Sequence, residues 1–184
     1  MVYGTSIGQG ACTSRPGLAW TSQVGRAVNN EMLNLCFSGN GRLEQPILNV
    51  MNQVDAACYI LDCIPNLAIT KSLSEKQLDS LLVNAVTFLR KEHPTTPIIL
   101  TQHSSGNIKT VFNEDKNKEY QQSSRVLKAT YEKLQSQEVR QIFMLSSGEL
   151  GLDLNSTVDY EHPNDQGMEH IPNAYIKLLK KVLK

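Results

Sequence analysis

Short apolar runs alternating with long helical stripes constrain this chain more than any other feature. Asn34–Phe37, Ala57–Cys63, Ile98–Leu100 and Ile142–Leu145 are runs of strand length. Ala57–Cys63 is almost continuously apolar, as expected for a strand covered on both faces. A helical stretch lies around Trp20–Asn29. Ser74 to His93 then carries Leu78, Leu81, Leu82, Ala85, Phe88 and Leu89 on one face. Ser74 suits its N-cap, and Pro94 and Pro97 end it. Glu119 to Gln137 repeats the pattern with Tyr120, Val126, Leu127, Tyr131 and Leu134. Ile171 to Leu183 closes with Tyr175, Leu178, Leu179 and Val182. Alternation of this kind means parallel strands joined by right-handed crossovers.

The expected fold class is therefore α/β: a flavodoxin-like three-layer sandwich of about five parallel strands in order 2-1-3-4-5. The 184 residues suit one domain spanning 1–184. Val2 and Tyr3 alone precede Gly4, whereas strands average roughly 5–6 residues. The expectation is a chain cut from a longer protein with an upstream domain. Apolar residues directly upstream in the parent reading frame would support this, and a native initiator at Met1 would contradict it.

Lys plus Arg and Asp plus Glu both number 18, so the net charge is zero and no basic field points to nucleic acid. Apolar runs such as Ala56–Leu61 are far too short to span a bilayer. The first residues do not read as a charged-then-apolar signal. A processed periplasmic or secreted protein would read the same, so compartment and oligomeric state stay open. Cys12, Cys36, Cys58 and Cys63 form no CxxC pair and read as buried free thiols. Cys58 and Cys63 are expected on opposite faces of their strand.

In a doubly wound sheet, ligands bind beyond the carboxyl ends of the strands. Gly4-Thr5-Ser6-Ile7-Gly8 lies there, and small residues allow a tight strand-to-helix turn. Ser6 then reads as a nucleophile, as part of a phosphate cradle, or as turn chemistry alone. Asp159-Tyr160-Glu161-His162-Pro163-Asn164 bears on the choice. A serine needs a base, and the base needs an orienting carboxylate. Asp159 against His162 Nδ1 would leave Nε2 free, and Pro163 suits a helix start. The same two residues would otherwise cap the last helix. Ser38-Gly39-Asn40-Gly41 follows the second strand and Pro65-Asn66 the third. Gly39 can offer a bare N–H and Asn66 a side-chain NH₂, the donors that an acyl-transfer oxyanion requires. Each is also ordinary turn chemistry.

These blocks, in this order across nearly the whole chain, resemble the SGNH, or GDSL-type, hydrolase superfamily, and its bacterial GDSL-like lipase/acylhydrolase branch. GTSIGQG resembles the first block, FSGNG the second, DCIPN the third and DYEHPN the last. The resemblance implies Ser6 as nucleophile, His162 as base and Asp159 as acid. It implies an oxyanion hole of Ser6, Gly39 and Asn66. The implied activity is a serine carboxylester hydrolase for short acyl groups such as acetyl, on a small molecule or carbohydrate, with transfer to an alcohol competing with hydrolysis. No metal or organic cofactor is needed. Thr5 stands where aspartate is common, and Ile64-Pro65 replaces smaller residues. The continuation GACTSRPG resembles members that carry an upstream β-sandwich.

Gly4-Thr5-Ser6-Ile7-Gly8 also fits the elbow of α/β-hydrolases, but that motif lies deep inside longer chains with a distant acid. The other reading is a binding module for phosphate, FMN or carbohydrate on the same fold, which gives Asp159 and His162 no task. Thr5, Arg15 and His103 are candidate substrate contacts. Arg15 also suits a loop tie, and His103 a capping role. His93 and His170 read as solvated, and Trp20 as core. Gly148–Asn155 reads as a long loop, and the segment 104–117 as pocket lining.

Overall fold

A computed structural model describes residues 1–105 and 114–183. The expected pocket-lining segment 104–117 therefore falls mostly outside the described residues. In chain order the elements are β1 (Val2–Gly4), α1 (Ser6–Gln9), α2 (Trp20–Val28), β2 (Asn34–Cys36), α3 (Gln45–Asn52) and β3 (Tyr59–Asp62). They continue with α4 (Glu75–Glu92), β4 (Ile98–Thr101), α5 (Glu114–Ser136), β5 (Ile142–Leu145), α6 (Ser147–Leu150) and α7 (Asp165–Val182).

All strand pairs are parallel, and the order is β2-β1-β3-β4-β5, as the alternation implies. The three-residue β1 sits inside the sheet, with Gly4 opposite both Cys36 and Asp62. Strand pleating divides the side chains into two cores. Tyr3, Leu61 and Leu100 pack with α3, α4 and α5, while Val2, Ile60 and Ile99 pack with α2 and α7. Trp20 of α2 stacks on Tyr175 of α7 with centroids 4.2 Å apart, in the core as its sequence position suggests.

Ser74 caps α4 through a reciprocal pair with Gln77, and Leu78, Leu82, Ala85 and Leu89 are buried while Leu81 and Phe88 are half-buried. Four features depart from the sequence reading. α3 was not expected. α5 starts at Glu114 rather than Glu119, because its first turn is wholly polar. α7 starts at Asp165, behind the cap of Asn164, whose side chain accepts the Gly167 N–H, so Pro163 precedes the helix rather than starting it. The expected loop Gly148–Asn155 contains the end of α6 and the start of a 3-10 turn at Leu154–Ser156.

Cys36, Cys58 and Cys63 are buried, but Cys12 is exposed on the turn after α1. Cys58 and Cys63 do join opposite cores, and burial pushes the Cys58 thiol up to about 12. His93 and His170 are half-buried and bonded rather than solvated. The former pairs with Asn52 O at 3.1 Å and the latter with Gly151 O at 3.1 Å. No described helix is long and apolar enough to cross a membrane.

Candidate active site

The turn from β1 into α1 is one residue long. Thr5 is that residue, and its hydroxyl accepts the Ile7 N–H at 3.3 Å. Ser6 is thereby the first residue of α1, at the carboxyl edge of an inner strand. Its own N–H lies in the turn of a helix that has no internal acceptor. Its side chain is not sealed in, since the residue is 6% exposed.

His162 reaches Ser6 from the loop before α7. Thr157 pairs with Pro163 in an antiparallel bridge, and Val158 N–H donates to His162 O at 3.0 Å. Inside this narrow neck the chain reverses through Tyr160, which adopts a left-handed φ of 70°. The reversal aims both oxygens of Asp159 at the two residues that follow Tyr160. Oδ1 accepts the N–H groups of Glu161 at 3.1 Å and His162 at 2.7 Å, and Oδ2 accepts the His162 ring at Nδ1, 2.8 Å away. Partial burial pushes the Asp159 carboxyl up, but the bonds from His162 and Glu161 outweigh it and hold it below its usual value. An ionised Asp159 makes Nδ1 the protonated nitrogen. Nε2 is then the acceptor, and it lies 2.9 Å from Ser6 Oγ.

The second and third strands bring their own ends to the same edge. Phe37 N–H donates to Gly4 O at 3.0 Å, which ties the loop after β2 onto β1. Gly41 completes that contact, since a Cβ there would lie 1.8 Å from Gly4 O. Between them Gly39 has φ 70°, a conformation that only glycine adopts without cost. Its N–H donates to no other described group. Asn66 ends the 3-10 turn Ile64–Asn66 after β3. One of its side-chain N–H groups donates to Phe37 O at 3.3 Å, and the other is left over. Phe37 O also accepts from Asn40 and Gly41, so a single carbonyl joins the Gly39 turn to the Asn66 amide. Ser6, His162, Asp159, Gly39 and Asn66 thus gather at the carboxyl ends of β1, β2 and β3 or on the loop above them.

The remaining candidates fare differently. Thr5 is fully buried and its hydroxyl is occupied as a cap, which leaves no face for a substrate. Arg15 is exposed, and its charge acts on Asp165, which also accepts the Ser14 N–H at 2.8 Å. The tie at the start of α7 is made by Ser14, not by the Arg15 side chain. His103 is 1% exposed and stacks on Tyr120 with centroids 3.7 Å apart. Burial, with Lys116 and His162 nearby, lowers its pKa to about 3. It is a neutral packing histidine, whose Nδ1 accepts the Ser105 N–H. Two residues escaped the sequence reading. Glu161 and Tyr120 bond at 3.2 Å beside the His162 loop. Glu161 stands inside the quoted block, but nothing local links it to α5. No three His, Cys, Asp or Glu side chains converge as metal ligands among the described residues.

The model of the GDSL-like lipase/acylhydrolase family matches residues 1–183. No curated protein matches. A protein from Bacteroides ovatus described as a GDSL-like lipase is 34% identical, with 99% of this chain and 52% of that chain covered and a TM-score of 0.85. A salicylyl-acyltransferase from a tetracycline biosynthetic pathway is 18% identical, covering 98% and 53%, at a TM-score of 0.80. A family 3 carbohydrate esterase from Clostridium thermocellum is 14% identical, covering 100% and 95%, at a TM-score of 0.72. The chain spans about half the length of the first two. The match over nearly every residue, with the order of strands and blocks already described, establishes that the chain belongs to the GDSL-like lipase/acylhydrolase family.

Proposed function

We propose that this chain is a serine carboxylester hydrolase that removes short acyl groups, acetyl above all, from carbohydrate. The observation that carries the proposal is the continuous chain of contacts from Ser6 Oγ through His162 to Asp159, at 2.9 and 2.8 Å. A capping histidine needs no serine at Nε2, and a phosphate cradle needs no histidine at all.

In this reading Ser6 Oγ attacks the ester carbonyl while its proton passes to His162 Nε2. Asp159 keeps Nδ1 protonated and offsets the charge of the imidazolium. The carbonyl oxygen becomes an oxyanion held by Ser6 N–H, Gly39 N–H and the spare N–H of Asn66. The C–O bond to the alcohol breaks, and His162 returns the proton to the departing oxygen. Water then attacks the acyl-serine with His162 as base, and Ser6 is regenerated. An alcohol in place of water gives acyl transfer from the same intermediate.

Carbohydrate is favoured as the alcohol part of the ester because carbohydrate esterases are among the proteins that share the fold. The test is acetate release from acetylated oligosaccharides and from p-nitrophenyl acetate by wild type and Ser6→Ala. Release by wild type and none by Ser6→Ala is expected. Equal release by both would overturn the role of Ser6. Release from the nitrophenyl ester alone would overturn the carbohydrate assignment.

A further inference from the structure

The bonds inside the His162 loop fix its shape but not its height above Ser6. Asp159 binds residues 161 and 162, Tyr160 N–H binds Thr157 Oγ1 at 3.2 Å, and Asn164 N–H binds Ser156 O at 3.0 Å. All of these are local. Among the described residues, bonds that leave the loop for α5 and for the segment after β4 meet at Glu161. Its carboxylate accepts Tyr120 Oη at 3.2 Å and meets Lys116 Nζ at 3.4 Å, both on α5. Its carbonyl accepts Ser105 Oγ at 3.4 Å, from the segment after β4.

Tyr120 is well placed to be an anchor. It is 6% exposed, and its ring lies flat on the buried His103, at an interplanar angle of 20°. His103 N–H is in turn held by Ser124 Oγ on α5 at 3.1 Å. Burial and the Glu161 charge push the Tyr120 hydroxyl up, so it remains a donor at any working pH. The neighbouring Tyr160 sits in a left-handed conformation that costs a non-glycine residue energy. A strained reversal depends for its placement on its ties to the surrounding elements, and the Glu161–Tyr120 bond is the more buried one among those that reach α5.

We propose that Glu161 and Tyr120 are positioning residues, and that their hydrogen bond sets His162 over Ser6; this rests on the Ser6–His162–Asp159 reading above. The exposed ion pair with Lys116 is secondary, because such pairs contribute little in water. The bond, not the charge, is the device.

The test uses Tyr120→Phe, Glu161→Ala and Glu161→Gln, each checked by thermal melting. Small misplacements of a catalytic group cost up to about a hundredfold. Tyr120→Phe and Glu161→Ala are therefore expected to lower kcat by roughly ten- to a hundredfold with KM unchanged. Glu161→Gln, whose amide oxygen still accepts from Tyr120, keeps most of kcat. Hydrogen exchange of peptides covering 157–163 gives a second readout without substrate: faster in the first two variants, as wild type in the third. Wild-type kcat and exchange in Tyr120→Phe would overturn the proposal, as would a Glu161→Gln variant as impaired as Glu161→Ala. A folded wild type without turnover would sink the catalytic reading instead, and unchanged exchange in Tyr120→Phe would still sink this one.

Discussion

Gln23 of α2 donates its side-chain N–H to the carbonyl of Met168 of α7 at 2.8 Å, and that carbonyl has no helical partner because Pro172 stands four residues on. Proline inside a helix removes the N–H that the preceding turn expects. Here a neighbouring helix replaces the lost donor. The same Gln23 amide also reaches Leu18 O at 2.7 Å, so it holds α7 to the segment that enters α2.

Gln23→Ala should therefore destabilise the protein by about 1–2 kcal/mol, the usual cost of leaving a polar group without its partner. In a Pro172→Ala background the helix recovers its own N–H, and the same substitution should cost less. Urea unfolding of the four proteins of this cycle measures the difference. Equal costs in both backgrounds would show that the Met168 carbonyl does not depend on Gln23.

Asn66→Ala should leave the fold intact and lower kcat on the order of 10²–10³-fold, the typical loss of one oxyanion donor. The side chain is only half-buried, and its single bond to Phe37 O is long, so stability should change little. Steady-state kinetics with p-nitrophenyl acetate, beside a thermal melt, separate the two effects. Near-normal kcat in folded protein would remove Asn66 from the oxyanion hole.

Asp62, at the end of β3, is fully enclosed, and burial raises its carboxyl pKa well above the usual value. The native state therefore keeps a proton that the unfolded chain has already lost. Between the unfolded and the folded pKa the native state binds more protons, so stability falls as pH rises through that window. Asp62→Asn removes this term. Its stability relative to wild type should rise from acid toward neutral pH, as read by urea unfolding at several pH values. A difference independent of pH would mean that the carboxyl titrates alike in the folded and unfolded states.

Much of the architecture was legible because its signals are local. Strand order follows from alternating periods, and the Ser74 cap from a serine just before the apolar stripe begins. The candidate residues at strand ends were legible for the same reason: Gly39 and Asn66 need only a strand to end in front of them. What escaped depends on partners remote in sequence. The buried face of α5 mixes Ser123, Ser124 and Thr130 with Leu127 and Leu134, which blurs its apolar stripe. Those hydroxyls are buried because Leu67 O, His103 N–H and Asp79 lie against them, and no spacing announces such partners. Thr5 and His103 fell at strand ends, yet one is used as a cap and the other as packing, since position at an edge does not say which way a side chain turns. Phe37 O joining Gly39 to Asn66 is a backbone event with no residue code.

The proposed activity rests on His162 making Ser6 a nucleophile. The most direct measurement is the rate at which a fluorophosphonate labels wild type, His162→Ala and Ser6→Ala, with the modified residue mapped by mass spectrometry. Rapid labelling of wild type at Ser6, with His162→Ala slower by several orders of magnitude and Ser6→Ala unlabelled, is the result this account predicts. Folded wild type that takes no label, or takes it on another residue, would contradict it.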